Sequence, residues 1–259
     1  MNDLFSLEGR VALVTGGSRG IGEMIAEGFV RAGAKVYISA RKAGPCEATA
    51  ERLSQFGECV ALPTDASGAG GAKALAARYL EHESRLDILV NNAGAAWGAA
   101  FGAFPEIGWD KVMDLNVKTP FFLTQELYGA LKAAGSAERP AKVINIASID
   151  GMSINMQDTY SYAASKSGLI HLTKRMALSL AKDNIIVSGI APGAFASEMN
   201  KVARDEGDRI ARDIPSGRIG VASDMAGAAI FLASRAGDYV VGTTLAVDGG
   251  VSWTRHVSG

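Results

Sequence analysis

Cysteine is scarce. Only Cys46 and Cys59 occur in 259 residues, too few for a secreted disulfide scaffold, and neither belongs to a redox or metal-binding motif. A reducing, cytoplasmic setting is the expectation. Histidine is also rare: His82, His171 and His256 are scattered, so no Cys or His spacing predicts a metal site. Charge of one sign is lacking too. The 26 Lys and Arg against 27 Asp and Glu leave a net charge of −1, with no basic surplus for a nucleic-acid backbone or an anionic membrane. Long apolar runs are missing. The longest, 225–233, is far short of the ~20 residues of a membrane span, and residues 1–9 carry no basic stretch followed by an apolar one, so no signal peptide is expected.

What is present is a regular alternation. Short β-rich apolar runs at 11–15, 35–39, 59–62, 86–90, 142–146, 185–190 and 243–247 read as strands. Between them, helical patterns cover 20–32, 47–56, 72–83, 159–182 and 223–234, with one long helix over 108–134 that Pro120 should kink. Residues 135–140 form a polar loop, and 197–213 reads as helical but charged and mobile. Hydrophobic residues make up 48% of the chain, enough for a large core. No linker, repeat or low-complexity segment interrupts it. The pattern predicts an α/β fold: one Rossmann-like, doubly wound domain over residues 1–259, with seven parallel strands between helices. Ligands of such sheets bind beyond the carboxyl ends of the strands, so the residues just after each strand come next.

After the first strand stand Gly16, Ser18, Arg19, Ile21 and Gly22 in the run TGGSRGIG (15–22). Glycines allow a backbone to approach a pyrophosphate, and the following helix offers free N–H groups. The spacing is G-x-x-x-G-x-G, not G-x-G-x-x-G, and a plain glycine-rich turn is the alternative. The second strand ends at Ala40-Arg41, where an acidic residue would bind the ribose hydroxyls of NAD. Arg41 in that place, with Arg19 in the glycine loop, suits a 2′-phosphate and points to NADPH, unless both are simply solvated arginines. Asp65, followed by Ala66, either accepts from an adenine amino group or caps the helix beginning near Ser67. Asn92, Ala93 and Gly94, in NNAG (91–94), are small enough for close cofactor approach.

Tyr162 and Lys166 are four apart, so on a helix they share a face. An ammonium there would favour the phenolate and let Tyr162 exchange a proton near neutral pH. Tyr160, whose fourth neighbour is Ala164, lacks such a partner. By itself the pair also fits ordinary packing. Ser148 ends the fifth strand at the same sheet edge, where its hydroxyl could hold a carbonyl, and Asn116 lies on the long helix.

Taken together, TGGSRGIG (15–22), NNAG (91–94), Asn116, Ser148, YxxxK (162–166) and PG (192–193) resemble the short-chain dehydrogenase/reductase family over about 7–251. That resemblance implies an oxidoreductase with Tyr162 as general acid in reduction and general base in oxidation. It implies that Lys166 lowers the Tyr162 pKa and binds the nicotinamide ribose, that Ser148 polarises the carbonyl, and that Asn116 supports a water relay. Pro192, Gly193, Phe195 and Ser197 would line the nicotinamide. The family usually has Thr where Ser197 stands, and an Asn near Gly189 that this chain lacks. Segments 5–22, 86–100 and 135–148 are similar to bacterial 3-oxoacyl reductases of the type associated with rhamnolipid synthesis, which implies a 3-oxoacyl thioester as substrate. A polyol, gluconate or steroid-type dehydrogenase is the alternative, and a nucleotide-sensing protein without catalysis is a rival that the intact Tyr–Lys pair disfavours. Expected substrate residues are Trp97, Asp150, Met152 and Met156, with Phe195, under a mobile lid around 195–215; each is otherwise an ordinary core or loop residue. Relatives are commonly tetramers, so a homotetramer is expected.

If Arg41 reads a 2′-phosphate, Arg41→Asp should lower the NADPH/NADH ratio of kcat/KM by at least about tenfold, since a lost bidentate charged contact is worth roughly 1.5–3 kcal/mol. Steady-state kinetics with both cofactors checks this, and an unchanged ratio refutes it.

Overall fold

A computed structural model describes residues 4–196 and 205–253. Seven strands form one parallel sheet in the order β3-β2-β1-β4-β5-β6-β7. They are β1 (Val11–Thr15), β2 (Lys35–Ser39), β3 (Cys59–Ala61), β4 (Ile88–Asn91), β5 (Ala141–Ile146), β6 (Ile185–Pro192) and β7 (Thr244–Val247). The helices are α1 (Gly20–Arg31), α2 (Ala43–Leu53), α3 (Gly68–Leu80), α4 (Glu106–Met113), α5 (Thr119–Glu126), α6 (Tyr128–Ala134), α7 (Tyr160–Leu180), α8 (Gly207–Ala211) and α9 (Ala222–Ala233).

The strands are mostly apolar because both faces of the sheet are covered. Side chains alternate between faces. Ala12, Val14, Val36, Ile38, Val90 and Ile144 enter one core with Ile25 and Phe29 of α1 and Met225 and Leu232 of α9. Leu13, Tyr37, Leu89, Val143 and Val187 enter the other with Leu75 and Tyr79 of α3, Leu123 of α5 and Met176 of α7. Strand order reverses beside β1, which pairs with β2 on one side and β4 on the other. The crevice at the carboxyl ends of β1 and β4 is therefore the switch point where a parallel sheet leaves room for a ligand.

Three expectations shift. The long helix over 108–134 is α4, α5 and α6, with a π-helical turn at Asp114–Lys118 and a break at Leu127. Pro120 acts upstream of itself: it has no N–H for the carbonyl of Asn116, and the wide turn lies there. Helix α2 starts at Ala43, because Pro45 falls in its first turn, where a missing donor costs nothing. Helix α3 likewise starts at Gly68, earlier than the 72 expected. The lid segment around 195–215 falls partly outside the described residues, Ser197 included; within it, α8 is helical.

At the amino edge of the sheet the charges are buried. Asp87, fully enclosed, accepts from Arg85 Nη2 at 2.7 Å and from the Val11 amide at 3.0 Å, and lies 3.4 Å from Arg10 Nη1. Arg10 also donates to the Pro140 carbonyl at 2.8 Å, and Lys142 donates to Asp238 at 2.6 Å. This network joins the starts of β1, β4 and β5. Burial lowers the Arg10 pKa, against the pull of Asp87. Removing the carboxylate would leave the guanidinium enclosed without its counter-charge. Asp87→Ala should therefore destabilise the fold by about 3–5 kcal/mol. Urea denaturation reads this as a lower midpoint at constant slope, and a loss under 1 kcal/mol would contradict it.

Candidate active site

Two loops at the switch point are bolted together. Thr15, ending β1, accepts from the amides of Asn92 and Ala93, both at 2.9 Å, and donates to the Val90 carbonyl. The Asn92 side-chain amide donates to the Thr15 and Gly16 carbonyls at 2.8 and 3.2 Å. The gap left for side chains is nil. Gly16 has φ +66, and a Cβ there would stand 2.9 Å from Asn92 Nδ2. A Cβ on Gly22 would collide with the Gly16 carbonyl. The glycines thus bring the first turn of α1 onto this loop, with no side-chain cap at Arg19. A backbone cradle without Cβ atoms, open at a helix N-terminus, fits a dinucleotide pyrophosphate.

Beside the cradle, Arg19 and Arg41 are exposed, and among the described residues neither guanidinium has a hydrogen-bond or ion-pair partner. Both cations are free for an anion at the end of β2. Ser18 is held through its carbonyl, which accepts from Thr49 at 3.0 Å, and Ile21 is half-buried against the core. Asp65 accepts from the Ser67 amide at 3.1 Å and hydroxyl at 2.6 Å, so the local turn uses one carboxylate oxygen. Buried Ala66 accepts from Thr119 at 2.9 Å. At the other end of the crevice the Gly193 amide, just past Pro192, donates to the Val247 carbonyl at 2.9 Å, and a Cβ on Gly193 would press on Asp248 at 2.7 Å.

The four expected catalytic residues meet at the carboxyl ends of β4 and β5. Asn116, in the π-helical turn, clamps the backbone of Ala95: its Oδ1 accepts from the amide at 2.8 Å and its Nδ2 donates to the carbonyl at 2.9 Å. The same Nδ2 donates to Ser165 Oγ at 2.9 Å, and Ser165 donates to the Tyr162 carbonyl at 2.7 Å. Lys166, buried, donates to the carbonyl of Ile146 at 2.8 Å and lies 5.5 Å from the centre of the Tyr162 ring. Ser148, just past β5, accepts from the Asp150 amide at 3.1 Å. A Cβ on Gly94 would touch Asn116 and Lys166, and one on Gly151 would strike the Lys166 backbone at 2.6 Å. A further buried chain runs from Asn91 to Asn145 at 2.9 Å and on to Thr173 at 2.9 Å, tying β4, β5 and α7 into register.

Electrostatics here differ from the sequence expectation. Burial pushes the Tyr162 phenol up to about 12, against the interaction with the Ser148 hydroxyl, and the Asp150 carboxylate adds to the rise. Burial pulls Lys166 down to about 8, partly opposed by Asp150. Desolvation wins because the ammonium is turned to a backbone carbonyl, not to the phenolic oxygen.

Of the expected apolar lining, Trp97 and Phe195 pack against other segments. The Trp97 ring lies on Gly108, where a Cβ would be 2.7 Å away, with Lys111 over the indole at 5.5 Å. Phe195 is a core residue whose ring fills the place of a Cβ on Gly220. Met156 is 99% exposed. Met152 does line a cleft, with Asp150, Asn155, Gln157 and Tyr160, between the 150–157 loop and α7. Sequence reasoning missed Thr15, Ser165 and the Asn91–Asn145–Thr173 chain. Thr15, Ser165 and Asn91 lie inside the recognised motifs, and that membership is their local signal. Among the described residues no group of three or more His, Cys, Asp or Glu could hold a metal ion, and no helix is long and apolar enough to cross a membrane.

The short chain dehydrogenase family model matches residues 10–208. The chain is 48% identical, over 96% of its length and 99% of the relative's, to the rhamnolipids biosynthesis 3-oxoacyl-[acyl-carrier-protein] reductase of Pseudomonas aeruginosa. It is 40% identical to the 2-dehydro-3-deoxy-D-gluconate 5-dehydrogenase of Escherichia coli, over 95% of this chain and 96% of that one. Among solved structures, the Pseudomonas aeruginosa RhlG/NADP active-site complex superposes with a TM-score of 0.94 at 47% identity, covering 97% of this chain and 100% of that one. A gluconate 5-dehydrogenase from Burkholderia cenocepacia in complex with NADP and tartrate superposes at 0.89 with 34% identity, covering 98% and 99%.

Because burial outweighs the lysine, the cofactor-free protein should show no Tyr162 phenolate at neutral pH. A difference ultraviolet titration of the wild type against Tyr162→Phe should place its ionisation above the ordinary tyrosine value of about 10. A phenolate signal from Tyr162 near pH 7 would overturn this.

Proposed function

The chain belongs to the short-chain dehydrogenase family, and from that premise we propose that it is an NADPH-dependent reductase of 3-oxoacyl thioesters. The convergence of Ser148, Tyr162 and Lys166 beside the glycine cradle carries the reading. NADPH would lie along the cradle, with Arg19 and Arg41 on its 2′-phosphate, Asn92–Gly94 along its middle, and Lys166, Pro192 and Gly193 at the nicotinamide end. When bound, it supplies the hydride that the carbonyl carbon accepts.

The side chains handle the oxygen. The Ser148 and Tyr162 hydroxyls donate to the carbonyl oxygen and hold it beside the reacting carbon. As negative charge develops there, the Tyr162 phenol gives up its proton, and the product is the 3-hydroxyacyl thioester. A phenol that keeps its proton at neutral pH is the form a general acid needs. The Lys166 ammonium then faces a phenolate and stabilises it. Asn116 holds the Ala95 backbone and, through Ser165, the turn of α7 that carries Tyr162. Its own carbonyl, without a donor from Pro120, is available to a water that returns a proton towards Lys166.

The acyl chain is the substrate feature favoured by the 48% identical relative and by Met152 and Ile154 in the adjacent cleft. A lid around 195–215 would close over it. One end is fixed where Phe195 bridges to Gly220, the other where the Ser216 amide donates to the Gly249 carbonyl at 3.0 Å. A gluconate-type substrate is the second reading, supported by the 40% identical relative and by Ser153, Asn155 and Gln157 in that cleft. Exposed apolar side chains on α4, α5 and α7, Ile107, Phe121 and Leu178, suit the homotetramer expected from sequence.

Tyr162→Phe should lower kcat by about 10²–10⁴-fold, the usual contribution of a general acid, while the NADPH dissociation constant changes by less than about threefold. Turnover of a 3-oxoacyl thioester, a keto sugar acid and a bulky ketone, measured by NADPH oxidation together with fluorescence binding, checks both the role and the substrate class. Near-wild-type turnover in the variant would remove Tyr162 from the chemistry.

A further inference from the structure

We propose that Asp150 is a charge filter on the substrate, disfavouring ketones that carry a carboxylate and sparing neutral 3-oxo thioesters. The inference rests on the reductase reading above and separates its two substrate classes. Asp150 lies two residues past Ser148, and its amide donates to the Ser148 hydroxyl oxygen, so its backbone is fixed against the group that holds the carbonyl. Among the described residues no hydrogen bond or ion pair engages its carboxylate. It lines the cleft with Met152, Ile154, Asn155, Gln157 and Tyr160, and among the described residues it is the only charged side chain in that lining.

Among the described residues no cation forms an ion pair with it. The Lys166 ammonium, which its charge reaches, is buried and turned to the Ile146 carbonyl. The field of Asp150 reaches the reacting position, since its charge bears on both Tyr162 and Lys166. A substrate whose carbonyl sits on Ser148 and Tyr162 while a carboxylate lies a few bonds away brings two like charges together in a partly desolvated space. Such a pair repels, and salt screens the repulsion. A neutral thioester meets no such opposition, and the amides and hydroxyls of the cleft still serve it.

The test compares wild type with Asp150→Asn, which keeps shape and removes charge. The substrates are the N-acetylcysteamine thioester of acetoacetate, which is neutral, and 5-keto-D-gluconate, which carries one carboxylate. The ratio of kcat/KM for thioester over keto acid should fall by roughly tenfold in the variant, through a lower KM for the keto acid. Raising the salt concentration should lower that KM in the wild type and not in the variant. Calorimetric titration of the NADP-loaded proteins with D-gluconate provides a readout independent of turnover, with tighter binding expected in the variant. Equal or weaker gluconate binding by Asp150→Asn overturns the filter, and weaker binding would make Asp150 a hydroxyl acceptor instead. If the wild type reduces only the keto acid, the thioester reading fails separately, and the gluconate titration still decides on Asp150.

Discussion

A buried ammonium with one backbone partner is the constraint around which the catalytic end is built. Lys166 is 4% exposed and donates to the carbonyl of Ile146, the last residue of β5. Burying such a charge is unfavourable unless it is well placed, and the surroundings bring it there by force of packing. Gly151 lets the loop after Ser148 lie directly on the Lys166 backbone, and Gly94 lets the loop after β4 close over its head. Helix α7 is held to the sheet from below by Asn145 and Thr173 and from the side by Asn116 and Ser165. Loosening any of these would let water reach the ammonium and free Tyr162 from its position one turn away.

The same burial decides the acid–base state. Coulombic attraction between an ammonium and a phenolate competes with the desolvation of both. Here the ammonium lies 5.5 Å from the phenol ring and is turned to a carbonyl, so desolvation prevails for each: the phenol rises and the lysine falls. The enclosed pair is thus stored as neutral phenol and weakened ammonium. Any group that restores positive charge beside Tyr162 shifts it towards release, which couples proton transfer to an occupied site.

Much of this was legible in the sequence, for identifiable reasons. All seven strands could be read because they are short, apolar and buried on both faces, and the cradle could be read because only glycine permits its close contacts. The break at Asp114–Lys118 could not be read, because apolar periodicity runs through it; Pro120 signalled a disturbance but not that it falls one turn earlier, on Asn116. The packing of Trp97 and Phe195 could not be read for another reason. Each stands beside a recognised motif, yet each is taken up by a glycine contributed from another segment, Gly108 and Gly220. Contacts of that kind are set by tertiary approach and leave no local trace. The turn made by Asp65 with Ser67 was within reach, because a short acidic side chain two residues before an open amide commonly bonds to it.

The division between shared and private chemistry follows from where these parts sit. Tyr162, Lys166, Ser148 and Asn116 hang on β5, α7 and the turn before α5, elements locked by buried hydrogen bonds. In the mechanism proposed above, they would act on any carbonyl delivered to them. Discrimination would then rest with neighbouring loops such as Asp150 to Gln157, which is largely solvent-facing and can vary without disturbing the sheet. Relatives named for thioesters and for sugar acids can therefore share one catalytic geometry, with the charge and polarity of a few loop side chains separating them. In this chain the described loop presents one carboxylate, Asp150, and no cation.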